Sequence, residues 1–344
     1  EVARLWGYDR IPDPATVPIS LVPATDTPEA ATLERVRTRL VGLGFRELYT
    51  NSLLPTRVAE AFDAAELAGV AMAVAETENS ISREMAALRP SLLPGLLGAL
   101  AYNQNRDAGP LRFFEFGHVY GRADDPHFPV EGYHEHAALT VGMSGPARLA
   151  GPDTDERAVD FFDLKGAVLH LLAALGLDDV DEVPAPEADG LMAYRLVLEH
   201  DGRRLGVLAR LSDALAEEAD LQQPLFVAEL RWDAVAAQAL AQPPTRYAPF
   251  SREPAVDRDV AVVVDCAEPV GPMRQTIRQA GGALLQHVRV FDLYEGERIE
   301  EGKKSVAFAL RFGAERTLTD KVVDKQVRRI VGALEREHGA RLRR

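Results

Sequence analysis

The chain has 344 residues, 47% of them apolar, and a formal net charge of −14. That length is compatible with two domains or one large one and supplies ample material for a core. No uninterrupted apolar run is long enough to span a bilayer, and the single cysteine, Cys266, excludes an internal disulfide and fits a reducing compartment. The chain starts at Glu1 without an initiator Met and without a basic, then apolar, leader. A piece of something longer, with no secretory signal, is therefore expected. The charge is unevenly spread. From Thr245 onward 19 Lys and Arg face 15 Asp and Glu, a net of +4, whereas residues 1–244 carry 20 against 38, a net of −18. A basic module on an acidic body suggests a local polyanion site near the C-terminal end, or simply a solvated basic surface.

Residues 1–22 read as a few helical residues followed by a Pro-rich connector with Pro12, Pro14 and Pro18. Elements then alternate from 23 to 243. Thr27-Pro28-Glu29 is a helix start: Thr caps, Pro takes the first helical position, and Glu sits at the positive end of the dipole. Leu33, Val36, Leu40 and Leu43 recur at helical spacing, which predicts a helix over 28–43 closed by Gly42 and Gly44. FRELYTNSL after it reads as a strand. A second helix is predicted over Leu88–Arg106, with Pro90 and Pro94 near its start. Strands follow at 111–120 and 136–144, then an amphipathic helix in DFFDLKGAVLHLLAALG, then strands near 194–200, 204–210 and 225–230. This mixture predicts an α+β domain on a largely antiparallel sheet.

QPPTRYAPFSREP, residues 242–254, is a second Pro-rich break, and a last segment of 244–344 follows it. Its order is strand (258–265), helix (269–280), strand (286–294), strand (304–312), helix (319–337) and a short strand near Ala340–Leu342. That is β-α-β-β-α-β, the ferredoxin-like order. Val323, Val327, Ile330 and Leu334 form one apolar stripe on the last helix, and Thr317 or Thr319 is placed to cap it.

The hairpin FDLYEGERIEEGKKSVAFALRF carries the most suggestive chemistry. Alternation in its first strand puts Phe291 and Leu293 on one face, beneath the helices, and Asp292 and Tyr294 on the other. Ser305, Ala307 and Ala309 in the second strand are small, so a flat ring has room to stack on Tyr294. Aromatic stacking on an open sheet is how proteins grip unpaired bases. Asp292 can accept hydrogen bonds from a base edge, and Lys303 and Lys304 can meet phosphates. The same residues also fit a solubilised tyrosine at a strand end beside a loop of ordinary charges. His134 and His136 lie two apart, on one face of a strand, but two ligands do not make a metal site. Phe45-Arg46-Glu47 is similar to the arginine-bearing motif with which some ligases hold ATP, and equally fits an ordinary surface strand. No GxxxxGK[ST], GxSxG or HExxH occurs. The sequence carries no sign of a complete active site of its own.

EVARLWGYDRIP, LRPSLLPGLLGALAYNQNR, FFEFGHVY, DFFDLKGAVLHLL, SREPAVDRDVAVVVD and FDLYEGERIEEGKKSVAFALRFGAERTLTD, in this order, resemble the bacterial phenylalanine–tRNA ligase beta subunit over nearly the whole chain. The resemblance implies a remnant of a preceding domain plus linker at 1–22, a non-catalytic class II synthetase-like core at 23–243, and a ferredoxin-fold anticodon-binding domain at 244–344. It implies an α2β2 assembly in the cytoplasm. There the alpha subunit binds ATP, Mg²⁺ and phenylalanine and charges tRNA(Phe), while this chain binds tRNA and acts as scaffold. The helix at 28–43 and the strand after it correspond to the dimer-forming motif of class II enzymes. Asp292 and Tyr294 match the positions that meet the anticodon, and Arg258, Lys303 and Lys304 are the expected backbone contacts. Glu1 matches one of the carboxylates with which the family binds Mg²⁺, the others lying upstream. ADGLMAYRL and LARLSDAL depart from the His-Pro-bearing turns usual around 189–215. The competing expectation is a ferredoxin-like ligand-sensing or protein-interaction module with no ligase role.

Overall fold

The computed structural model describes residues 1–12, 16, 27–62, 72–80, 82–106, 108–123, 129–185, 190–243, 246–247, 251, 253–296 and 298–343. Pro14 and Pro18 of the first connector, and parts of the second Pro-rich break, lie outside the described residues. The chain divides into two compact units, Glu1–Val180 with Pro186–Arg195 and His200–Gln242, and Asp181–Ala185 with Leu196–Glu199 and Pro243–Arg344.

The first unit opens with α1 (Val2–Trp6), which buries nothing. In α2 (Pro28–Gly42) the Thr27 hydroxyl accepts the Ala30 N–H, and Val36 and Leu40 are buried. The strand expected over FRELYTNSL is only β1 (Arg46–Glu47), parallel to β4 (Leu111–Gly121). The ladder stops because the Thr50 N–H and hydroxyl turn to the Glu115 carboxylate, at 3.2 and 2.8 Å. β2 (Leu53–Leu54) instead pairs with β3 (Ala87–Leu88), with α3 (Thr56–Ala61) between them. The helix expected over Leu88–Arg106 begins later, as α4 (Leu93–Gln104). Pro90 disfavours helical backbone at Arg89, whereas Pro94 sits in the first turn, where no N–H is needed.

β4 pairs with β5 (His134–Ser144) along its whole length, from Leu111↔Ser144 to Gly121↔His134. A small ladder of β6 (Pro146–Arg148) and β7 (Arg157–Ala158) precedes α5 (Phe161–Ala174). Asp160 and Asp163 close a reciprocal capping box at the start of α5. Then come β8 (Asp181–Pro184), β9 (Met192–His200), β10 (Arg203–Leu211), α6 (Asp213–Glu218), β11 (Leu225–Arg231) and α7 (Trp232–Ala241). The seven-stranded sheet has the order β1-β4-β5-β11-β10-β9-β8; β1 runs parallel to β4, and the pairs β4-β5, β5-β11, β11-β10 and β9-β8 are antiparallel. Two glycines let α4 and its leading turn lie close on it. A Cβ on Gly142 would stand 2.7 Å from Leu96, and one on Gly117 would stand 2.4 Å from the Arg89 guanidinium.

The last part of the chain forms β12 (Val256–Asp265), α8 (Val270–Gly281), β13 (Leu285–Tyr294), β14 (Lys303–Phe312), α9 (Asp320–His338) and β15 (Arg341–Leu342). The sheet order β13-β14-β12-β15 with antiparallel pairs is the expected ferredoxin-like topology. Both helices pack on one face, where Val260, Val262, Phe308 and Leu310 join Met273, Ile277, Ile330 and Leu334 in one buried cluster. Gly339 adopts the left-handed conformation that ends α9. The expected side-chain cap is not made: Thr319 accepts no cap hydrogen bond, and the Thr317 hydroxyl donates to Glu253. No helix among the described residues is long and apolar enough to cross a membrane.

Candidate functional site

The face of the four-stranded sheet away from the helices carries the hairpin residues. β14 alternates cleanly, so Val306, Phe308, Leu310 and Phe312 face the helices and Ser305, Ala307 and Ala309 face away. In β13, Val288 and Val290 pair with Leu310 and Phe308 on the helix side. Strict alternation would carry Asp292 and Tyr294 to the same side. A bulge between Val290 and Asp292 reverses the phase, so that Asp292 pairs with Ala307 and Tyr294 with Ser305 on the open face. Phe291 is the extra residue. The expectation that Phe291 and Leu293 lie beneath the helices holds for the face of Leu293, which pairs with Val306 on the helix side, and is corrected for Phe291, which is taken up by the bulge; both are exposed, Leu293 at 51% and Phe291 at 45%, on the edge strand β13.

The Tyr294 ring lines a depression of about 650 Å³ with Asp292, Gly296, Arg298 and Arg343. Arg343 continues β15, its N–H donating to the Ala261 carbonyl at 2.8 Å. Its guanidinium carbon lies 5.5 Å from the centre of the tyrosine ring, and Nη1 donates to the Ser305 hydroxyl at 3.2 Å. A second depression of about 510 Å³ shares Arg298 and Arg343 and adds Lys303 and Arg341.

The three cations expected at this site are disposed differently. Lys303 is on the open face, but its Nζ is 2.7 Å from Asp265, whose carboxyl it holds below the usual carboxylate range. Lys304 has the opposite phase. It is buried on the helix side, and its Nζ donates to the Cys266 carbonyl at 2.8 Å. Arg258 is also on the helix side, paired with Asp320 at 2.5 Å and Asp324 at 3.6 Å at the start of α9. Alternation excludes both from the open face, a point already implicit in the positions of Val260 and Val306. Arg298 and Arg343 were missed because one lies in a loop and the other beyond the last strand, where no periodicity marks them.

Residues singled out in the first unit form no comparable site. The Glu1 carboxylate is 2.7 Å from Arg4, and among the described residues no group of three His, Cys, Asp or Glu could hold a metal. A hard cation wants several oxygens, so Glu1 does not fit a Mg²⁺ site by itself. Arg46 is exposed on the edge strand β1, and Glu47 accepts from Arg37, an ordinary surface arrangement. His134 and His136 lie side by side on one face of β5, their rings tilted 43° to each other with centres 5.4 Å apart. Burial lowers the His136 pKa to about 4.

That sheet face also buries acids. Arg89 reaches Glu115 at 2.9 Å, both almost fully enclosed. Glu229 accepts from the Ser91 hydroxyl at 2.7 Å and the Leu92 N–H at 3.1 Å, and desolvation pushes its pKa up to about 7.

Comparison with known proteins gives a consistent set of relatives. A family model described as the phenylalanyl tRNA synthetase beta chain CLM domain matches residues 14–232, and one described as a ferredoxin-fold anticodon binding domain matches residues 251–343. A phenylalanine–tRNA ligase beta subunit of Salinibacter ruber is 47% identical over all of this chain, which covers 42% of that protein. Those of Bacillus licheniformis and Symbiobacterium thermophilum are 36% and 35% identical, with 41% and 38% of each covered. The chain thus spans about two fifths of the length of the curated relatives it matches. A solved pyrrolysyl tRNA synthetase from Desulfitobacterium hafniense aligns with 60% of this chain and 66% of its own, at 16% identity and a TM-score of 0.45, too loose to carry an argument. On the two family models and the identity held across its whole length, the chain belongs to the family of phenylalanine–tRNA ligase beta subunits.

Proposed function

We propose that this chain is the tRNA-binding and scaffolding part of a phenylalanine–tRNA ligase beta subunit. Residues 244–344 hold the anticodon of tRNA(Phe) on the open sheet face. Residues 23–243 form a class II synthetase-like core without catalysis of its own, seated against the alpha subunit through α2 and β1. Residues 1–22 link it to what precedes. In this reading the assembly is a cytoplasmic α2β2 heterotetramer. The alpha subunit binds ATP and carries out the attachment of phenylalanine, and Mg²⁺ is held by groups beyond Glu1.

The observation that carries the reading is the Tyr294 ring on a sheet face free of helices, with Asp292 at its side and the small Ser305 and Ala307 opposite. A ring so placed offers a base its flat surface, and a neighbouring carboxylate accepts from the base edge. The reading is tested by mixing the chain with a candidate alpha subunit and measuring co-purification and charging of tRNA(Phe). An alpha subunit equally active without the chain, and never retained by it, would refute the role.

A further inference from the structure

We propose that Arg298 and Arg343 form a phosphate clamp on the RNA strand whose base stacks on Tyr294. The inference rests on the reading of the open face as an RNA site, and adds to it the groups that meet the backbone. Three of the nearby cations are already engaged: Lys303 with Asp265 at 2.7 Å, Lys304 with the Cys266 carbonyl at 2.8 Å, and Arg258 with Asp320 at 2.5 Å. Arg341 stands 4.0 Å from Glu300. Arg298 and Arg343 have no ion pair among the described residues, and both are exposed. They line the Tyr294 depression and also the one beside it, so they stand where a strand crossing from one to the other must pass.

Arg343 is held in place without being neutralised. Its backbone is tied to Ala261, and Nη1 donates to a neutral hydroxyl, Ser305, at 3.2 Å. The remaining donors of its planar fork are available, and they match a phosphate bidentately. Contact with a phosphate therefore breaks no ion pair among the described residues. A strand carries a phosphate beside every base, so a base on Tyr294 brings one to this edge of the ring. The acidic remainder of the chain repels RNA, which confines backbone binding to such local cation pairs.

The test uses the full chain, with its partner subunit where solubility requires it, and two RNA hairpins. One bears a phenylalanine anticodon loop and the other a scrambled loop. Affinity is measured across a salt series for the parent and for Arg298→Gln, Arg343→Gln, Arg343→Lys and Tyr294→Ala. Each Gln variant should lower the slope of log affinity against log salt by about 0.7 and weaken both hairpins by the same factor. Arg343→Lys should keep the parent slope. Tyr294→Ala should keep the slope while losing roughly five- to 150-fold for the anticodon hairpin. If Tyr294→Ala weakens binding while both Gln variants retain the parental slope, the clamp is wrong and the stacking site stands. If none of the variants, Tyr294→Ala included, alters binding, the RNA site itself is elsewhere and the clamp falls with it.

Discussion

Gly296 lies so close to Tyr294 that a Cβ built on it would stand 2.8 Å from the tyrosine hydroxyl and 3.0 Å from Cζ. The hairpin loop thus folds back onto the ring it follows, and the absence of a side chain at 296 lets the ring keep its position. Gly296→Ala must push the phenol aside. Binding of an anticodon-loop hairpin should fall by up to the about 1–3 kcal/mol of a complete stack, with no change in melting temperature beyond a degree or so. Unaltered affinity would show that the ring's position does not matter.

Stacking and hydrogen bonding at Tyr294 can be separated. Tyr294→Phe keeps the ring and should bind RNA within a factor of about three of the parent, whereas Tyr294→Ala should lose about 1–3 kcal/mol. Equal losses in the two variants, read by fluorescence anisotropy, would assign the role to the hydroxyl instead.

Lys304 is inside the fold, on the helix face. Lys304→Met should leave the salt dependence of RNA binding unchanged. It should lower stability by about 1 kcal/mol through loss of the bond to the Cys266 carbonyl. A reduced salt slope would mean that the lysine leaves its pocket to meet RNA.

In the first unit, Arg89 and Glu115 form a pair exposed by only 6% and 0% of their side chains. Removing one partner strands a charge in the interior, so Arg89→Leu should cost about 3–5 kcal/mol. Adding Glu115→Gln should recover part of that loss. Urea denaturation of the two variants decides it, and a near-neutral Arg89→Leu would show that water reaches Glu115.

Glu229 sets a pH dependence. Its folded pKa, about 7, is above the ordinary value of 4.5, so the native state holds this proton more tightly than the unfolded chain does. The contribution is fully present below pH 4.5 and is lost as pH rises through 7. Relative to Glu229→Gln, the parent should lose stability across that window by on the order of 3 kcal/mol. His136 has the opposite sign, its lowered pKa costing stability as pH falls from 6.5 toward 4, so the parent alone shows a flatter profile than either group dictates. A parent-minus-variant difference independent of pH would mean that Glu229 is ionised throughout.

Much of the architecture was legible because it is local. Thr27-Pro28 marks the start of α2, and the β-α-β-β-α-β order follows from periodicity and breaks alone. The failures were tertiary. The strand after α2 stops early because Thr50 prefers a carboxylate 65 residues away, and that partner leaves no mark on the strand itself. The candidate pair Asp292 and Tyr294 was placed on the correct face from four residues, although Val288 and Val290, read with the same alternation, demand the other. The bulge at Phe291 reconciles them, and a bulge has no periodic signature.

By itself the sequence determined the family and the β-α-β-β-α-β order of the last segment, and it offered the tyrosine–aspartate pair as a candidate, because motifs, caps and periodicity are written in neighbouring residues. Only the folded chain decided which cations remain unpaired around that pair. Whether a lysine or arginine is engaged depends on a partner brought near by sheet register, as Asp265 is to Lys303 and Asp320 to Arg258. Register is a property of two strands at once, so no single stretch of residues contains it.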